Sequence, residues 1–295
     1  MGGTGREGRR ERRERARWEK EMLRRLEALD RLDEHYGLGA SPYSPPPPRR
    51  GRGGGLTLRG AVPAGIVVAL LVVATLAVAP AAAPLRAALG LERYGEGADY
   101  EPGQGTYAFA ATQDGSDEPV GYDPCSTVRI VVNPEGAPDD HRALVDRAVA
   151  TIEGATGLDL EVVGETDDRE IDDRGLDPAG NPEPSLVMWA EEDEVDDLEG
   201  DVAGIGGSSR VQVAGRWGYA SGIVVLDRED FAAIEDQPGG AEQRQAIVDH
   251  EFAHLVGLGH VDDPSELMHA ENTGQTEFGP GDLEGLARLG SIACG

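Results

Sequence analysis

The sequence predicts an α+β domain behind a single N-terminal transmembrane helix, and three observations point to that class. No charged residue lies between Arg59 and Arg86, so one segment is apolar enough to leave water. Downstream of it, short β-type runs and longer helical periods follow one another as β-α-β-β-β and then two further helices. The chain has 295 residues with 42 Gly, 19 Pro and 5% aromatics, which fits one folded domain with appendages better than a single long core. The boundaries that follow are a basic cytoplasmic arm at 1–60, the membrane helix at 61–83, a flexible linker at 84–105 and the folded domain at 106–295.

The net charge of -28 conceals an asymmetry. Residues 1–60 carry 15 Lys+Arg against 9 Asp+Glu, an excess of +6 that leaves -34 for the rest. A body so acidic repels phosphate, which excludes nucleic acid as its partner. Within the arm, Arg6 to Tyr36 reads as a charged, solvated helix with Leu23, Leu26, Leu29 and Leu32 three apart. Ser41 to Arg50, SPYSPPPPRR, cannot be helical and forms a stiff extended spacer.

Ala61 to Ala79, AVPAGIVVALLVVATLAVA, has nineteen residues. As a helix it spans about 28 Å, close to the thickness of the hydrocarbon core. Arg49, Arg50, Arg52 and Arg59 crowd its N-terminal side, whereas Arg86 and Arg93 beyond it are balanced by Glu92, Glu96 and Asp99. Positive charge stays inside, so the expected topology is single-pass in the cell membrane, N-terminus cytoplasmic and acidic domain extracytoplasmic. The competing reading is a cleaved signal peptide ending at Ala77-Val78-Ala79, against which stands a polar leader far longer than a usual n-region. Gly95 to Gly105 has no apolar period and reads as linker.

In the domain, Val128 to Val132 reads as a strand and Asp139 to Glu153 as a helix with Leu144, Val145, Ala148, Val149 and Ile152 on one stripe. Gly154 and Gly157 stop that helix. Leu158 to Val163, Leu186 to Trp189 and Ile223 to Leu226 supply strands, and helices are expected at about Ala241 to Val256 and Asp282 to Leu289.

Three of the six histidines fall within eleven residues, His250-Glu251-Phe252-Ala253-His254-Leu255-Val256-Gly257-Leu258-Gly259-His260. The pattern is H-E-x-x-H-x-x-G-x-x-H. His250 and His254 stand four apart on a helix, so both imidazoles leave one face and reach one ion. Glu251 lies about 100° around the helix, where it can touch a water without being a ligand. Gly257 lets the chain leave the helix through a left-handed conformation, and His260 then returns as third ligand. Three protein ligands with one open position describe one catalytic Zn²⁺; Fe(II) shares the ligand type, but three imidazoles suit zinc better. The ordinary alternative, surface histidines on a plain helix, requires this spacing to arise by chance.

With these residues the chain resembles the metzincin metallopeptidases. Eight residues beyond His260 comes Met268, in Asp262-Asp263-Pro264-Ser265-Glu266-Leu267-Met268-His269, similar to the family's Met-turn. Within the family it looks most like the matrixins in their short, bacterial-type form, over about 185 residues that include the GYDPCSTVRIVVN segment at Gly121 to Asn133. The resemblance implies a metzincin-like zincin domain: a twisted mixed sheet, an active-site helix and a C-terminal helix. It also implies a zinc endopeptidase with Glu251 as general base and His250, His254 and His260 as ligands. An extended peptide or protein substrate is expected to pair with an edge strand near Ser208 to Val213. Two features depart from the family: no cysteine-switch motif of PRCG type occurs, and His269 stands where astacins place a tyrosine ligand near the Met-turn.

Cys125 and Cys294 bracket the domain. Outside the membrane they can pair, which would constrain a loop of about 170 residues and contribute about 4–5 kcal/mol in the chain-entropy model; two free thiols are the alternative. The acidic run from Glu165 to Asp201 invites structural Ca²⁺ by analogy with matrixins, but no EF-hand order of ligands supports it and a solvated surface is the plainer reading. GDVAGIGGSS, with Gly204, Gly206 and Gly207, lacks the following helix that a phosphate cradle needs. Two rivals share the metal site: an anchored adhesion or scaffold module with a structural zinc, and a zinc amidase acting on cell-wall peptides. An intact Glu251 favours an enzyme over the scaffold.

Overall fold

The apolar periods condense into one five-stranded sheet with helices against one face. The computed structural model describes residues 92–172, 174–213 and 215–294; the predicted arm at 1–60, the membrane helix at 61–83 and the first part of the linker lie outside the described residues. Among the described residues, no helix is long and apolar enough to cross a membrane.

The main strands are β2 (Val128–Val132), β3 (Leu160–Glu165), β4 (Ser185–Ala190), β5 (Gly204–Val213) and β6 (Arg216–Asp227). They are ordered β3-β2-β4-β6-β5, all parallel except β5, which runs antiparallel to β6 and forms an edge. A separate two-stranded pair joins β1 (Ala108–Phe109) to β7 (Leu258–Gly259). The helices are α1 (His141–Thr156), α2 (Arg228–Glu235), α3 (Gly240–Val256) and α4 (Pro280–Gly290).

β4 is central and buried along its whole length, yet its two faces enter different clusters. Val187 and Trp189 join Ile130, Leu144, Ile152 and Phe252 in the main core between the sheet and the helices. Leu186, Met188 and Ala190 pack on the other face with Val195 and Leu198, from the acidic segment after β4. Alternation along a strand therefore anchors a segment whose composition reads as solvent-facing.

Two elements exceed the sequence expectation. β5 and β6 form a long hairpin, although only Ile223 to Leu226 reads as strongly β-like, because Gly and Ser in β5 hide its period. α2 follows β6 directly; Asp227, the last residue of β6, caps it by accepting from the Asp230 N–H at 2.8 Å.

Residues 92–105, expected to be a flexible linker, have neither helix nor strand but lie along the domain. Arg93 donates to the Ser291 and Ile292 carbonyls at 2.5 and 2.8 Å, Ala98 N–H to Ala155 O at 3.1 Å, and Gly103 N–H to Glu284 at 2.7 Å. Each of these bonds has a backbone group on at least one side and needs no apolar period, so hydrophobic patterning does not reveal them. Beside the start of this stretch, where Tyr94 N–H donates to Pro124 O at 3.2 Å, Cys125 and Cys294 form a disulfide.

Candidate metal centre

α3 presents His250 and His254 on one face, and the chain beyond β7 brings His260 to them. The three Nε2 atoms form a nearly equilateral triangle: 3.0 Å between His254 and His250, 3.1 Å between His250 and His260, 3.0 Å between His254 and His260. His250 Nδ1 lies 2.8 Å from Leu267 O and His254 Nδ1 2.8 Å from Leu258 O. A carbonyl only accepts, so each Nδ1 carries the proton and each Nε2 presents a lone pair. The lone pairs of His250 and His254 face each other at 3.0 Å and repel unless a positive charge or a donor lies between them. Nitrogens around tetrahedral zinc with bonds of about 2.0–2.1 Å stand about 3.3–3.4 Å apart, so the triangle fits such an ion within a few tenths of an ångström.

Burial keeps the rings neutral, the form that binds metal. It pushes His250 down to about 3, with the neighbouring His254 adding to the effect, and His254 down to about 4. His260 is lowered by burial and by His269.

Glu251 is 6% exposed, and burial pushes its carboxyl up to about 8. It lines a cleft of about 590 Å³ that also holds the three histidines. The approach of β5 confines it: a Cβ on Gly204 would stand 2.9 Å from Glu251 Cγ, and one on Gly206 only 2.2 Å from Glu251 O. The glycine run that fails as a phosphate cradle instead allows an edge strand to touch the helix beside Glu251.

The turn to His260 depends on Gly257, whose φ of 119° and ψ of 13° suit glycine, and whose N–H bonds Ala253 O and His254 O. β7 is then held by β1, with Ala110 N–H donating to Gly257 O at 2.8 Å. Met268 is 1% exposed in the main core, and its carbonyl accepts from Val261 N–H at 3.0 Å. The same turn supplies Leu267 O to His250. Asp282 of α4 fixes the turn in place, accepting from Leu267 N–H at 2.6 Å and Met268 N–H at 3.4 Å. Glu266, fully buried, accepts from Gly281 and Asp282 N–H at 3.0 Å and from Thr106 N–H at 3.3 Å.

All four residues predicted for the chemistry thus meet at one cleft. His269 lines it as well, with its Nδ1 accepting from Glu271 N–H at 3.1 Å. Sequence reasoning missed the orienting carbonyls of Leu258 and Leu267 and the buried acids Glu266 and Asp282. An Asp at N3 of a helix behind Pro280-Gly281 was the one available signal for the latter. The acidic run from Glu165 to Asp201 brings no three carboxylates together among the described residues; Arg169 pairs with Glu194 and Arg174 with Asp168 instead.

No protein-family model and no curated protein matches the chain. Among solved structures, an archaemetzincin from Methanopyrus kandleri aligns with a TM-score of 0.37 and 16% identity, over 55% of this chain and 93% of that one. A zinc-dependent peptidase from Methanocorpusculum labreanum aligns with a TM-score of 0.31 and 12% identity, over 55% of this chain and 100% of that one. Scores this low do not establish a shared fold, and the case for the site rests on its own geometry.

Proposed function

We propose that this protein is a zinc metalloendopeptidase of matrixin-like type, anchored in the cell membrane and hydrolysing peptide bonds of extracytoplasmic proteins. The observation that carries the reading is the triangle of imidazole Nε2 atoms from His250, His254 and His260 beside a buried Glu251 in one open cleft. A zinc ion held by those nitrogens would supply Lewis-acid polarisation of the scissile carbonyl and a more acidic water. Glu251 takes the proton from that water. It then returns the proton to the leaving amine, because an amide nitrogen does not depart as an anion. β5, with a free edge beside Glu251, supports an extended substrate paired as an added strand.

The test uses the full chain purified in detergent. One zinc per chain is expected, lost in His254→Ala, together with cleavage of some member of a peptide library. Glu251→Gln should keep fold and zinc while turnover falls by at least about 10²- to 10⁴-fold. Equal turnover by wild type and Glu251→Gln would remove Glu251 from the mechanism, and a zinc-loaded wild type that cleaves nothing would leave the scaffold reading ahead.

A further inference from the structure

The cleft continues past the histidines along α3. Ile247, Ala246 and Gln243 lie three, four and seven residues before His250, on one helical face about two turns long, and all line it. Ile234 of α2 adds an apolar wall. Beside this apolar lining stand Asp201 ahead of β5 and Asp230 in the first turn of α2, while Glu271 lies in the wall after Met268. Among the described residues, neither the Asp201 nor the Asp230 carboxylate accepts a hydrogen bond or forms an ion pair, and no Lys or Arg lines the cleft. Glu251, nine-tenths buried and likewise without a hydrogen bond to its carboxylate, opens into the same space. Burial, first, and then the charges of Asp227, Asp201 and Glu229 hold the Asp230 carboxyl above its ordinary value, the response of an acid whose countercharge is absent. Asp201 is three residues from Gly204, which abuts Glu251, so at most about 10 Å of chain separates them. An arginine or lysine side chain can bridge a gap of that order while laying its methylenes on Ile234, Ala246 and Ile247.

The geometry points to a specificity pocket for a cationic side chain: the substrate carries arginine or lysine next to the scissile bond, with its stem on the apolar wall and its charge at Asp201 and Asp230. This rests on the peptidase reading and deepens it by naming the substrate class. Unpaired carboxylates on the wall of a concave site attract cations more strongly than the same groups on open surface, because the walls exclude water.

The experiment uses the full chain in detergent with zinc bound, wild type and Asp201→Asn/Asp230→Asn, with thermal unfolding as the check on folding. Peptides found by library cleavage are remade with arginine, norleucine or glutamate beside the bond. The expected result is kcat/KM on the order of tenfold higher for arginine than norleucine, with glutamate lowest, and a ratio near one in the double variant. Equal rates for arginine and norleucine in wild type, or a preference that survives in a folded double variant, would overturn the pocket while leaving the peptidase intact. A second arm needs no turnover: binding of two hydroxamates that differ only in an arginine or norleucine side chain next to the chelating group. If no peptide is cleaved, the peptidase reading fails, and this arm alone decides the pocket. About tenfold tighter binding of the arginine probe, lost in the double variant, supports it, and equal affinity refutes it.

Discussion

Gly206 and Gly207 are neighbours on β5 with opposite surroundings, so replacing each by alanine probes the contact between the edge strand and the metal-binding helix. A Cβ on Gly206 would stand 2.2 Å from Glu251 O and 3.0 Å from Glu251 Cα and C, all backbone atoms of α3; a Cβ on Gly207 would meet nothing within 4 Å. A backbone carbonyl cannot rotate away as a side chain can, so strand and helix must separate by about 1 Å to restore ordinary contact. Overpacking of this kind costs about 1–3 kcal/mol, and a displacement of about 1 Å at a reacting group can cost about 10²-fold in rate. Gly206→Ala should therefore lower the unfolding temperature by several degrees and depress turnover while retaining zinc, since the three imidazoles lie on α3 and after β7, not on β5. Gly207→Ala should be neutral, or more stable by up to about 1 kcal/mol through reduced freedom of the unfolded chain. Thermal unfolding, metal content and kcat/KM measured on both variants decide the matter. Equal stability and equal activity for the pair would show that β5 does not confine Glu251.

Three further outcomes are expected. Replacing Cys125 and Cys294 by serine opens a loop of 169 residues and should cost about 5 kcal/mol in the chain-entropy model, read from urea unfolding with and without reductant. Burial raises the Asp282 carboxyl from its ordinary 3.8 to about 6, so its protonated form favours folding; that stability is fully present below about pH 3.8 and is lost as pH rises through 6. The difference in unfolding free energy between wild type and Asp282→Asn should thus change by roughly 3 kcal/mol across that window, and a flat difference would refute the assignment. Protease added to intact cells should remove the acidic domain and spare residues 1–60; a mature chain that begins near Pro80 would instead identify residues 61–79 as a signal peptide.

Sequence alone determined the parts of this protein whose physics is local. Helical geometry places residues four apart on one face, so H-E-x-x-H announces His250, His254 and the adjoining Glu251 without any knowledge of the sheet. Gly257 announces the exit, since a left-handed φ is cheap only for glycine. The stripes of α1 and α3 and the apolar β2 and β4 were legible for the same reason: burial imposes a period on the chain.

Tertiary structure decided what depends on partners distant in the chain. β1 has two residues and no signal of its own, and exists because β7, about 150 residues later, offers a free edge. The stretch 92–105 meets α1 through a backbone bond from Ala98 to Ala155 and α4 through Gly103 N–H on the Glu284 carboxylate, neither of which an apolar period announces. Leu258 O and Leu267 O set the tautomers of two ligands, and a carbonyl is present at every residue, so no sequence pattern distinguishes these two. Gly204 and Gly206 offer the sequence reader only a phosphate cradle without its helix, and their role emerges when α3 is seen to press against them. Side-chain chemistry is written in the residue type and its spacing, whereas backbone contact and the meeting of remote acids such as Asp201 and Asp230 arise only when the fold brings the elements together.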